Sequence, residues 1–175
     1  METQTGRSRR TGKFPGEKCV KSDAFIFNIA AISSIFMTSC SKNEKVTFTD
    51  TQNSEFKVGQ VWSYKTRSNE TNSTLTICKV ETVGKLETVV HISISDVKIK
   101  SPQNKDGEAQ VISHLPFAES AVKQSVTQVL REDIAPTNYV EGYQIWRDAV
   151  ENGKGGVWTV TVAEAINAME STLNK

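Results

Sequence analysis

His91 and His114 are the chain's two imidazoles, and with Cys19, Cys40 and Cys78 they make up its whole stock of imidazole and thiol metal ligands. A zinc-type centre draws three or four such side chains at short, regular spacings. His91 stands inside the run VVHISIS and His114 directly before Leu115-Pro116, and no spacing points to a third ligand. Structural roles are therefore expected for both, with no metal and no other cofactor. Cys78 has only Lys79 beside it to favour a thiolate and is expected to be a small packed side chain. Gly153-Lys154-Gly155-Gly156 has the composition of a phosphate loop in the wrong setting, since a P-loop runs from strand to helix and these glycines follow a helix. Glu132-Asp133 and Asp148 with Glu151 are carboxylate pairs of the kind that acid–base catalysis uses, but they fall at helix ends or on polar helix faces, where solvated charge is the default. No Gly-x-Ser-x-Gly elbow is present, and no catalytic residue is assigned. The aromatic residues carry more information. Tyr139, Tyr143 and Trp146 lie along one side of a helical segment, and Ile145 and Ala149 widen its apolar arc. Tyr and Trp are favoured binding anchors, so these three are the candidate binding residues, with core packing as the competing reading.

The elements that would position them divide at mid-chain. From Phe56 onward the pattern alternates: residues 60–66, 74–82, 87–100 and 109–113 read as successive strands, with a turn at Val83-Gly84-Lys85 and another at Lys105-Asp106-Gly107. A change of phase at Ser95-Asp96 predicts a bulge. The second half is helical. Ala118, Val122, Val126 and Val129 form a stripe over residues 116–132. Asn138-Tyr139-Val140-Glu141 reads as a capping box opening a helix that stops at Asn152-Gly153. Residues 157–162 (VWTVTV) alternate and predict a further strand, and Thr161 to Glu164 caps a last helix carrying Ile166, Met169 and Leu173. The expected fold is α+β: an antiparallel β-meander of about four to five strands with three helices packed on one face.

The N-terminus is of a different kind. Six bases stand against three acids in the first 23 residues, and Ala24 to Met37 then runs for fourteen residues without a charge. This is the layout of a secretory signal, and the run is short for a membrane span, which needs ~20 apolar residues. Met37-Thr38-Ser39-Cys40 resembles the lipobox of bacterial lipoproteins. That resemblance implies transfer of a diacylglycerol to the Cys40 sulfur, cleavage before Cys40, acylation of the new amine by a palmitate-type chain, and anchorage in the cell envelope at the periplasmic face or outer membrane. A GUG start at Val20 would shorten the lead. The expected organisation is a signal peptide over residues 1–39, the lipidated cysteine with a flexible tether over 40–55, and a single α+β domain over 56–175. The competing reading places an edge strand at residues 45–49.

From Cys40 on, fifteen bases face seventeen acids. The whole chain is nearly neutral, with 21 bases and 20 acids, which removes the basic face that nucleic-acid binding requires. Phe56-Lys57-Val58-Gly59-Gln60-Val61-Trp62-Ser63-Tyr64, His91 to Ser95 and Val157 to Ala165 are similar to segments of small bacterial envelope proteins, a resemblance that implies no activity. Three functions compete. One is a membrane-tethered interaction or accessory protein, whose partners are the membrane and a protein. The second is a carrier of an apolar small molecule between sheet and helices. The third is a carboxylate-dependent hydrolase.

Overall fold

The computed structural model describes residues 45–86, 88–100 and 108–175. The expected signal peptide, Cys40, the start of the tether and the Lys105-Asp106-Gly107 turn lie outside the described residues. The fold is α+β, with six strands in one antiparallel sheet and three helices. The strands are β1 (Phe48–Asp50), β2 (Val61–Tyr64), β3 (Thr74–Val83), β4 (Thr88–Lys100), β5 (Glu108–Ala118) and β6 (Val126–Arg131). The helices are α1 (Glu119–Ser125), α2 (Val140–Glu151) and α3 (Val162–Leu173). The sheet order is β5-β4-β3-β2-β6, and β1 pairs with β3. β2 covers the first residues of β3 and β1 its last, so both lie along the same edge of β3 with a gap between them.

β-bulges govern which side chains face which way. Ile77 pairs with Ile92, but Lys79 pairs with His91, so Cys78 is the extra residue of a bulge. One inserted residue reverses the facing of everything after it. Leu75 and Ile77 therefore share the main core with Val80, despite their opposite parity. A second irregularity falls between Ser95 and Ile99, where Asp96 takes φ 57°. This is the bulge expected from the change of phase.

The sheet is covered on both sides, and the alternation along β4 shows how. Val90, Ile92 and Ile94 point into the main core with Phe117, Ala121 and Val122 and with Val162, Ala165 and Ile166 of α3. The residues of opposite facing, Val89 and His91, meet α2 through Tyr143, Trp146 and Val150. All three helices were expected on one face; α1 and α3 share a face, and α2 takes the other. The cause is the β4 sequence, apolar on both parities as in strands buried on both faces.

Other expectations need correction. The tether does not extend to residue 55: Phe48–Asp50 pairs with Val83, Thr82 and Glu81, and Val46 and Phe48 pack beside α2. The helix expected over 116–132 is only α1. Ser125 ends it by donating to Ala121 O and accepting from Val162 N, and Val126 turns extended. The following β-branched residues pair with β2 as β6. Asn138 does not cap α2. It takes φ 61°, and the N-cap is Tyr139 without a side-chain bond. Residues 157–162 form only an isolated parallel bridge, Trp158 to Phe117, because Thr161 is already the cap of α3 with the expected capping box.

A salt-bridged clamp joins α3 to the sheet. The Arg67 guanidinium pairs with Glu70 and with Glu170 of α3 (2.6 Å) and donates to Lys98 O at 2.9 Å. Glu70 is buried and also accepts from Lys98 N at 2.5 Å.

Candidate functional site

The polar chemistry of the described residues converges beneath α2. Past the Cys78 bulge, β3 sends Lys79 and Glu81 to the α2 face, β4 sends His91, β5 sends His114, and α2 closes over them with Tyr143 and Trp146. The two histidines, for which structural roles were expected, bond to each other: His91 Nδ1 and His114 Nε2 are 2.9 Å apart, with the rings stacked at 5.2 Å. The edge of Trp146 meets His91 at 4.7 Å and Tyr143 meets it at 5.1 Å.

Glu81 sets the protons. It is buried, and its oxygens lie 3.0 and 3.1 Å from Tyr143 OH, which donates to them. Lys79 Nζ is 3.3 Å away and is also paired with Asp50. Burial pushes the Glu81 carboxyl up, but His91, Lys79 and Tyr143 outweigh it and hold the group below the usual range, so it is ionised. His91 Nε2 stands 3.2 Å from this carboxylate, a place for an N–H and not for a lone pair. His91 Nδ1 is then the acceptor and His114 Nε2 the donor, with both rings neutral. Burial holds His91 below its ordinary value. Burial and then the neighbouring His91 push His114 down to about 4. His91 Nε2 is fully buried, and its polar neighbour is the Glu81 carboxylate at 3.2 Å, a charge-assisted contact short of a well-formed hydrogen bond. Among the described residues no group of three or more His, Cys, Asp or Glu side chains is placed to hold a metal ion.

Gly142 permits the approach of helix to strand. A Cβ there would stand 2.7 Å from His114 Cβ and 3.5 Å from its Nδ1. Next to the cluster, in the gap between β1 and β2, lies a cavity of about 420 Å³ lined by Asp50, Phe56, Lys57, Cys78, Lys79 and Tyr139 among others. Lys79 is shared by cavity and cluster.

The three candidate binding residues thus separate. Tyr143 and Trp146 are 7% and 8% exposed and pack against the sheet, with Trp146 Nε1 donating to Gly156 O at 2.7 Å. Tyr139 is half-buried and lines the cavity. The outer side of the arc is left to solvent, with Ile145 66% exposed. Cys78 is buried, as expected, and its thiol is pushed up by that burial. Of the carboxylate pairs, Glu132, Asp133 and Asp148 are exposed, and Glu151 is half-engaged by Arg147 at 3.2 Å. The residues that sequence reasoning missed are Glu81, whose signal is a lone acid inside the strand ICKVETV, and Gly142, whose signal is a glycine early in a helix. Comparison of the chain with protein families, curated proteins and solved structures finds no match.

Proposed function

We propose that this chain is the precursor of a bacterial envelope lipoprotein, held at the membrane by acyl chains on Cys40, and that its body acts as an interaction or accessory protein. The observation that carries the reading is the placement of Cys40. It follows a basic lead and a fourteen-residue uncharged run, in a lipobox-like setting, and stands five residues before the described body begins at Lys45. Multiple acyl chains anchor firmly where a single one binds marginally. The non-catalytic reading is supported by the closure of the polar cluster. Both Glu81 oxygens and both facing histidine nitrogens are engaged with one another, and His91 and Glu81 are out of contact with solvent. On the side of α1 and α3 the space between sheet and helices that a carrier would use is filled by Phe117, Ile92, Val122 and Ile166, all fully buried, which favours the accessory reading there.

The test is Cys40→Ser in a bacterial host fed labelled palmitate. The original chain should incorporate label and sediment with membranes, and the variant should do neither. Equal fractionation without label in either chain overturns the lipid anchor.

A further inference from the structure

We infer that the His91–His114 pair is an acid-operated latch: it holds helix α2 on the sheet while neutral, and a proton taken up by His114 releases the helix and uncovers Tyr143 and Trp146. The inference does not depend on whether Cys40 is acylated.

The first ground is that α2 is held separately from the rest of the molecule. α1 and α3 share the main core, whereas α2 rests on a second cluster of five buried residues, Val83, Val89, Tyr143, Trp146 and Val150, with partly buried neighbours. An element with a small apolar footing of its own can open below the global unfolding free energy. The second ground is that the imidazole pair sits in the middle of that footing. His91 is 0% exposed and is enclosed by the Trp146, Tyr143 and His114 rings.

The third ground is where a proton must go. With His114 Nε2–H donating to His91 Nδ1, and His91 Nε2–H held at Glu81, the free lone pair of the pair is His114 Nδ1, which has no partner among the described residues. That nitrogen faces Gly142, in the first turn of α2. A helix N-terminus carries about half a positive charge, so an imidazolium there is repelled by the element it supports. The surrounding charges do not rescue it. β3 contributes Glu81 and Lys79, β1 contributes Asp50, already paired with Lys79, and α2 contributes Tyr143 and Arg147. Glu141 of the same first turn is exposed and bonded to none of them. Glu81 is the buried carboxylate of this cluster, and its charge already answers Lys79 and His91. His114 is only partly buried, and when α2 leaves the imidazolium gains its full hydration and the repulsion ends. The low value of His114, about 4, agrees with a proton that binds poorly while the helix is seated.

The experiment is amide hydrogen exchange on the full chain between pH 7 and 4, corrected for intrinsic rates, with the His114 ring titration followed by NMR in the same samples. Protection of α2 amides and of the Trp146 indole N–H should fall below the onset of release by about tenfold per pH unit, the slope of a single proton. Amides of β3 and β4 should keep their protection. His114→Gln, which donates to His91 but takes up no proton at position 114, should make the fall of α2 protection clearly shallower over the same range, with only His91 left to respond. Loss of α2 and sheet protection together overturns the latch, as does an unchanged acid response in His114→Gln. If that variant does not fold, the unsubstituted chain still decides. An α2 opening that does not track the His114 titration also overturns the proposal.

Discussion

Gly142 shows how much one missing methyl group determines. At an exposed helix position Ala would be preferred to Gly by ~1 kcal/mol, yet an added Cβ at 142 would stand 2.7 Å from the Cβ of His114, which is fixed to the β5 backbone and cannot swing aside. Overpacking of this kind typically costs ~1–3 kcal/mol. Net of that helix preference, Gly142→Ala is expected to lower stability by up to about 2 kcal/mol, read as a reduced denaturant midpoint with an unchanged slope. A midpoint equal to or above that of the original chain would mean that α2 does not seat on His114. The glycine is visible in the sequence; its neighbour is not. His91 and His114 are 23 residues apart and meet because His91 pairs with Pro116, two residues past His114, after a register shift between Ile92 and Ile94. No local pattern encodes that shift, so the pair reads as two isolated side chains until β4 and β5 are docked.

Among the elements, those with one competing demand were legible and those with two were not. β3, β4 and the capped start of α3 follow from alternation and from Thr161 to Glu164. Residues 126–131 carry both a helical stripe with Ala118 and Val122 and the β-branched character of a strand, and the open edge of β2 decides for the strand. Residues 157–162 alternate as a strand would, but the capping box claims their end. The Arg67 clamp was illegible for another reason: it ties the β2–β3 turn, the far end of β4 and α3 across about a hundred residues, from Arg67 to Glu170. Its removal makes an element-level prediction. Arg67→Ala leaves Glu70 buried without its counter-ion, and breaking a buried pair from one side costs ~3–5 kcal/mol. Arg67→Lys should recover little, because an ammonium cannot serve Glu70, Glu170 and Lys98 O as the planar fork does. Thermal melts of the three chains test this, and a Lys variant as stable as the original would reduce the clamp to simple charge neutralisation.

For the whole molecule, acid is the condition that tests how α2 is joined to the rest. Burial holds His91 below its ordinary value, and burial with His91 beside it brings His114 to about 4, while the unfolded chain titrates both near ~6.5. Between these values the unfolded state binds more protons, so stability is fully present above ~6.5 and falls as pH drops toward the folded values. Glu81 acts in the same sense lower down: its depressed carboxyl contributes stability that is lost as pH falls through its folded value. Taken alone, His114 would lower stability progressively as the pH falls from ~6.5 toward its folded value. A detachable α2 limits that loss. Once the helix leaves, His114 is hydrated in folded and unfolded chains alike, and further acid no longer distinguishes them at this site. The stability difference between the original chain and His114→Gln, measured by denaturant titration from pH 7.5 to 4, should thus grow from ~6.5 downward. It should then level off at the pH where α2 loses its exchange protection. A difference that keeps growing at about 1.4 kcal/mol per pH unit below that point would show that the helix unfolds only with the whole domain.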